Sequence, residues 1–102
     1  MSLSTHVLDA ARGRPAHGVA VRLEHREGGG WAAVAEGRTD ADGRVRELPP
    51  PDAGTYRLVF DTSGHSDFYP EVTVAFNVTD PAEHYHVPLL LSPFAYSTYR
   101  GS

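Results

Sequence analysis

The chain has 102 residues, no cysteine and a formal net charge of -4, and its nine basic residues are all arginines spread along the sequence. This length predicts a single domain over residues 1–102, the missing cysteine excludes disulfides and thiolate chemistry, and the dispersed positive charge argues against a nucleic-acid partner. No apolar run reaches the about 20 residues that cross a bilayer, and the start MSLSTHVLDA lacks the basic and apolar parts of a signal peptide. We therefore expect a soluble, cytoplasmic protein without a membrane partner.

Short segments with the character of β-strands occur along the whole chain. Apolar and polar residues alternate most clearly in GVAVRLEHR at 18–26, GTYRLVF at 54–60 and PEVTVAFNV at 70–78, as in half-buried strands. The other predicted strands are STHVLDA at 4–10, WAAVAEGR at 31–38, GRVRE at 43–47, HYHVPLLL at 84–91 and AYSTYRG at 95–101.

Turn-forming residues separate these predicted strands. Gly28-Gly29-Gly30 predicts a hairpin, Asp42-Gly43 predicts a tight turn, and Pro49-Pro50-Pro51 excludes regular structure. No segment has a sustained helical period, and DTSGHSDF allows at most a short helical turn near residues 62–67. The pattern predicts an all-β sandwich of two packed antiparallel sheets.

The same alternation assigns side chains to the two faces of each predicted strand. In HYHVPLLL the odd-numbered residues suit the core, which leaves the even-numbered residues on the opposite face. In the first strand His6 shares a face with Leu8. The predicted outward set combines histidines with apolar side chains: His6, Leu8, His84, His86, Pro88, Leu90 and Tyr99.

A face of this kind is commonly covered by another copy of the chain, so we expect a homo-oligomer with histidines lining a cleft between subunits. Two other interpretations remain open at this point. His84 and His86 at i, i+2 are compatible with zinc, although no further ligand is adjacent, and His6 alone is more typical of a surface histidine. Asp40-Ala41-Asp42-Gly43 resembles the start of a calcium loop but lacks the closing glutamate, so a turn is favoured and no metal site is predicted.

Long segments at both ends of the chain resemble one family. THVLDAARGRPAHGVAV at 5–21 and YHVPLLLSPFAYSTYRGS at 85–102 are similar to the 5-hydroxyisourate hydrolases, also called transthyretin-related proteins, and GRTDADGR at 37–44 and FYPEVTVAF at 68–76 extend the resemblance. The final Tyr-Arg-Gly-Ser is the mark that separates these enzymes from the hormone carrier transthyretin. The resemblance implies a transthyretin-like sandwich of two four-stranded sheets and a homotetramer whose central channel holds the sites.

The resemblance also implies an activity. Family members open the six-membered ring of 5-hydroxyisourate to give 2-oxo-4-hydroxy-4-carboxy-5-ureidoimidazoline, on the route from urate to allantoin, and they use no metal or organic cofactor. The residues of this chain that match the family's functional set are His6, Arg44, His86, Tyr99, Arg100, Gly101 and Ser102.

The resemblance assigns these residues two kinds of role. His6 and His86 are expected to activate water and move its proton, and Arg44 to steady the negative charge of the intermediate. Ser102 is expected to bring a hydroxyl and the terminal carboxylate close to the histidines. Substrate binding is expected from the tail, Tyr99, Arg100 and Gly101, together with His6 and Arg44.

One departure from the family and one alternative function remain. DTSGHSD, between Phe60 and Phe68, is shorter than the family's usual segment, so the short helix found there is expected to be a turn or absent. The alternative function is that of a non-catalytic transthyretin-like carrier for a small ligand. His6 and the Tyr-Arg-Gly-Ser tail argue against it.

Overall fold

The computed structural model describes residues 2–48 and 52–102, which form β-strands joined by turns and loops. The strands are β1 (Ser2–Asp9), β2 (Arg14–Pro15), β3 (Ala20–Glu27), β4 (Gly30–Arg38), β5 (Arg44–Val45), β6 (Gly54–Asp61), β7 (Glu71–Val78), β8 (His84–His86), β9 (Leu89–Leu91) and β10 (Tyr96–Thr98). They form one sheet of six strands and one of four, which confirms the all-β sandwich. The prediction for Pro49-Pro50-Pro51 lies outside the described residues.

The four-stranded sheet has the order β4-β3-β6-β7, and each neighbouring pair is antiparallel. The predicted hairpin joins β3 to β4, with Gly28 and Gly29 at φ values of 57° and 90° that favour glycine. In β7 the predicted alternation is present, since Val72 and Val78 are buried while Thr73 and Ala75 are exposed. This sheet therefore contributes one apolar face to the core.

The six-stranded sheet is organised around β1. Along one edge β1 pairs with β8 through residues 2–4 and with β9 through residues 7–9, both in parallel. Along the other edge it pairs antiparallel with β5 and β2. Because β8 and β9 both pair with one side of β1, and β5 and β2 both pair with its other side, the six strands occupy four rows. β10 forms the outer row next to β9. The expected four-stranded arrangement is thus present, with a parallel pairing that side-chain alternation does not reveal.

The core lies between the facing sides of the two sheets. Tyr56, Phe60 and Leu89 are among its fully buried side chains, each of which stabilises the fold by roughly 1.5–3 kcal/mol relative to an exposed position. The odd-numbered residues of 85–91 are buried as predicted. Pro88, which we expected on the outward face, is buried as well, and its carbonyl accepts a hydrogen bond from Thr98 Oγ1 at 2.6 Å.

The shortened segment after β6 forms a turn. The carbonyl of Thr62 accepts hydrogen bonds from the backbone N–H groups of His65 at 2.9 Å and Ser66 at 3.0 Å, and no helix forms in residues 61–70. Among the described residues, no helix is long and apolar enough to cross a membrane.

Candidate active site

The outward side of the six-stranded sheet carries three polar residues and a leucine along β1. Ser2, Ser4, His6 and Leu8 are half-buried and alternate with buried residues, so all four point away from the core. The strand register then fixes what lies beside them: Ser2 is opposite His84, Ser4 is opposite His86, and His6 is opposite Arg44.

His6 is held by the turn that leads into β5. Its Nε2 lies 2.9 Å from the carbonyl oxygen of Asp42. Because a carbonyl can only accept a hydrogen bond, Nε2 carries a proton in this contact, and the proton-free nitrogen of neutral His6 is Nδ1. The contact therefore leaves Nδ1 as the acceptor that His6 can offer to water or to a ligand.

The same turn positions Arg44. The Asp40 carboxylate accepts hydrogen bonds from the backbone N–H groups of Arg44 and Asp42, both at 2.9 Å, and these bonds hold the pKa of Asp40 below its ordinary value. Gly43 has a φ of 78°, and a Cβ there would lie 2.5 Å from the carbonyl oxygen of Val7. The segment that resembled a calcium loop is therefore a tight turn that sets Arg44 beside His6.

His86 lies beside this pair and is held on two sides. Its Nδ1 is 2.8 Å from Ser4 Oγ, and its carbonyl accepts a hydrogen bond from Gly101 N–H at 2.8 Å. Burial lowers the pKa of His86, and the nearby positive charge of Arg44, together with His6 and His84, lowers it further. His86 is therefore neutral at neutral pH, which is the state of a general base.

The tail packs directly on the His86 ring through Gly101. A Cβ at residue 101 would lie 2.5 Å from His86 Cδ2, so only glycine permits this approach without moving the ring. This contact accounts for a glycine at that position on steric grounds, since no positive φ is involved there.

We expect Gly101→Ala to displace the His86 ring and to lower kcat/KM for the reaction proposed below by about 10- to 100-fold, because a misplacement of about 1 Å has an effect of this size. Gly64→Ala is the matched control, since a Cβ there meets nothing within 4 Å. The measurement is the steady-state rate of the two variants beside the parent. An unchanged rate in Gly101→Ala would show that the tail does not control the ring.

The other predicted tail residues are placed differently. Arg100 donates from Nη2 to Glu83 Oε1 at 2.9 Å, and its guanidinium lies over the Tyr85 ring at 4.5 Å. These contacts hold Arg100 beside a residue whose ring packs in the core, not beside His86.

The two remaining tail residues are exposed: Tyr99 is 58% exposed and Ser102 is exposed. The described structure thus brings His6, Arg44, His86 and Gly101 together, whereas Arg100 is directed elsewhere.

Two polar residues join the site that the sequence analysis did not assign to it, Ser4 and His84. Ser4 Oγ contacts His84 Nε2 at 3.1 Å as well as His86. His84 was predicted to lie on the outward face and was compatible with zinc, but it was given no role in the reaction. Among the described residues no group of three or more metal-binding side chains lies together. Alternation in β1 and β8 places both residues on the outward face, but only the parallel register of the two strands shows that they lie together.

The concave surface at this site is small. A cavity of about 140 Å³ is lined by Ser4, Arg44, His84 and the neighbouring residues Thr5, Val45 and Arg46. A larger concavity, about 880 Å³, lies on the outer side of the four-stranded sheet, beside Arg22 and Arg38. We place the candidate site at the smaller cavity, because two of its lining residues, Arg44 and Ser4, are paired in the sheet with His6 and His86.

Comparison with known proteins decides the family. The model of the HIUase/Transthyretin family matches residues 3–101. This chain belongs to the HIUase/Transthyretin family. Among relatives, the 5-hydroxyisourate hydrolase of Salmonella typhimurium is 47% identical over 109 residues, which cover 98% of this chain and 80% of the relative.

Solved structures of the HIUase/Transthyretin family share the fold over nearly the whole chain. The 5-hydroxyisourate hydrolase of Klebsiella pneumoniae matches with a TM-score of 0.84 and 36% identity, covering 99% of this chain and 98% of that one. Sea bream transthyretin in complex with thyroxine matches with a TM-score of 0.86 and 37% identity, covering 97% and 93%. The fold alone therefore does not distinguish the enzymes from the carriers.

Proposed function

We propose that this chain is a 5-hydroxyisourate hydrolase, which opens the six-membered ring of its substrate at a ring amide bond to give 2-oxo-4-hydroxy-4-carboxy-5-ureidoimidazoline. Relatives that are 43–47% identical over 98–99% of the chain bear the name 5-hydroxyisourate hydrolase, in two cases with the prefix "Probable". One structural observation carries the proposal. His6, Arg44 and His86 lie together on one sheet face, in a chain whose relatives bear this name.

In the proposed mechanism His86 is the general base. Its Nδ1 contacts Ser4, so Nε2 is the nitrogen available to take a proton from water as the water oxygen attacks the ring carbonyl. The carbonyl carbon becomes tetrahedral and its oxygen becomes negative. As the C–N bond then breaks, the imidazolium of His86 returns the proton to the leaving ring nitrogen, so no net proton is gained or lost by the enzyme.

Arg44 and His6 support this step. The planar guanidinium of Arg44 can donate two hydrogen bonds to the developing oxyanion or to neighbouring substrate oxygens, and it remains charged throughout. His6 offers Nδ1 as an acceptor to an N–H group of the substrate or to the attacking water, because its Nε2 donates to Asp42. Tyr99, Gly101 and Ser102 would form the adjoining wall, and Arg100 would hold the tail through Glu83.

The proposal includes a homotetramer. The site cavity of about 140 Å³ is smaller than the roughly 300 Å³ of typical ligand pockets, so further walls are needed to enclose a substrate. Large aromatic side chains are also exposed, with Phe68 at 61% and Phe94 at 79%, and their rings lie edge to face with centroids 6.0 Å apart. Exposed apolar clusters of this kind support contact with further subunits.

The experiment that tests the function follows the loss of freshly generated 5-hydroxyisourate by its absorbance. We expect the purified protein to accelerate the loss well beyond the spontaneous rate, and sedimentation at micromolar concentration to give four times the monomer mass. A rate equal to the spontaneous one, with binding of a small aromatic ligand, would favour the carrier. A monomeric mass with full activity would overturn the tetramer and leave the activity standing.

A further inference from the structure

A chain of hydrogen bonds joins the candidate base, His86, to three further polar side chains. Ser2 Oγ is 2.8 Å from His84 Nδ1, His84 Nε2 is 3.1 Å from Ser4 Oγ, and Ser4 Oγ is 2.8 Å from His86 Nδ1. The parallel register of β1 and β8 produces this order, because it sets Ser2 beside His84 and Ser4 beside His86. Both ring nitrogens of His84 and one nitrogen of His86 are therefore engaged by serine hydroxyls.

The hydrogen bonds in this chain can be satisfied together in three arrangements. A serine hydroxyl has one proton to donate and can accept two hydrogen bonds, and a neutral imidazole has one N–H donor and one acceptor. If the chain runs from Ser2 towards His86, Ser4 donates to His86 Nδ1 and the proton of His86 is on Nε2. If it runs from His86 towards Ser2, His86 donates from Nδ1 to Ser4, and Nε2 keeps its lone pair. If Ser4 accepts from both histidines, His86 again donates from Nδ1 and Nε2 again keeps its lone pair.

Only the arrangements in which Ser4 accepts from His86 suit a base. With Nε2 unprotonated, His86 can accept a proton from water, and the imidazolium that results still donates from Nδ1 to Ser4. The bond between His86 and Ser4 is then retained through the whole proton transfer. In the first direction Nε2 already carries a proton, so His86 could not act as the base unless that proton moved to Nδ1 and the Ser4 hydroxyl turned away.

We infer that Ser4 and His84 are positioning residues for the proposed hydrolysis: Ser4 accepts from His86 Nδ1 and donates to His84, which fixes His86 as the tautomer with a free Nε2. The inference rests on the proposed function for its catalytic meaning, but the tautomer itself is a property of the free protein. The charged and titratable groups that face His86 are Arg44 from β5, His6 from β1 and His84 from β8.

Nitrogen NMR of labelled protein tests the tautomer directly. We expect neutral His86 to carry its proton on Nδ1 in the parent protein and in Ser4→Thr, which keeps the hydroxyl. Ser4→Val has the shape of threonine without the hydroxyl, and there we expect the Nε2–H form that predominates in free histidine. Ser97→Ala is the control, because Ser97 lies on β10, opposite Leu90, and contacts neither histidine.

Steady-state kinetics tests whether the tautomer of His86 affects the rate of hydrolysis. We expect Ser4→Val to lower kcat by about tenfold, a part of the roughly 10²-fold or larger contribution of a general base, with little change in KM. Ser4→Thr should retain the parent rate. His84→Phe removes the nitrogen that accepts the Ser4 proton, so it should lower kcat as Ser4→Val does. This variant replaces Ser4→Val in the test if Ser4→Val fails to fold.

The outcomes separate this inference from the proposed function. An Nε2–H tautomer in the parent protein, or an Nδ1–H tautomer that persists in Ser4→Val and His84→Phe, overturns the positioning role even if the enzyme is active. A parent protein that does not hydrolyse 5-hydroxyisourate overturns the function, whereas a tautomer that changes only when the Ser4 hydroxyl or His84 is removed still supports the hydrogen-bonded chain.

Discussion

Replacing His86 by glutamine is expected to lower kcat/KM for 5-hydroxyisourate by about 100-fold or more, because the variant loses the group that takes the proton from water. The ring is half-buried at the sheet surface and its loss removes no core side chain, so the fold should remain. The measurement is the initial rate of loss of freshly generated substrate.

His17→Gln is the matched control for this change. His17 is an exposed histidine in the loop before β3, and its carbonyl oxygen lies 3.3 Å from His65 Nε2. We expect its rate to equal that of the parent, and the circular dichroism of both variants to be unchanged. A His86→Gln variant with near-parent turnover would remove His86 from the role of base.

Replacing Arg44 by methionine is expected to have an effect of similar size, about 10²- to 10³-fold in kcat, because the developing oxyanion loses its cationic donor. The pH dependence should change as well. Burial and Arg44 lower the pKa of His86 below its ordinary value of about 6.5, so the parent loses activity only as the pH falls below that value. Without Arg44 the pKa of His86 rises, and the acid limb of kcat/KM moves to higher pH.

Arg44→Lys separates the two effects of Arg44. Lysine keeps the positive charge but not the planar pair of donors. We therefore expect its acid limb to stay near that of the parent while kcat still falls. If Arg44→Met has the parent rate and the parent pH profile, Arg44 has no part in the reaction and its charge does not act on His86.

Much of the fold follows from side-chain alternation in the sequence. The odd-numbered residues of 85–91 are buried because every second residue of a strand faces the core, and the turn at Asp42-Gly43 is present because glycine tolerates its positive φ. The parallel pairing of β1 with β8 could not be predicted in this way, since alternation gives the face of a side chain but neither the neighbouring strand nor its direction.

The candidate site, like the fold, could be predicted only in part from the sequence. Alternation placed His6 and His86 on an outward face, and the family resemblance added Arg44 and Gly101. The roles of Ser4 and His84 required the register, because a shift by one residue would move Ser4 to the opposite face. Arg100 was expected to bind substrate, whereas its pairing with Glu83 depends on the path of the tail after β10.

A crystal structure with a stable purine analogue of the substrate would test the central claim most directly. We predict that the ring lies on the outward face of the six-stranded sheet, within about 3 Å of donors on Arg44 and of His86 Nε2. An analogue that occupies only the groove of about 880 Å³ beside Arg22 and Arg38 on the other sheet, with His6, Arg44 and His86 free, would contradict the claim.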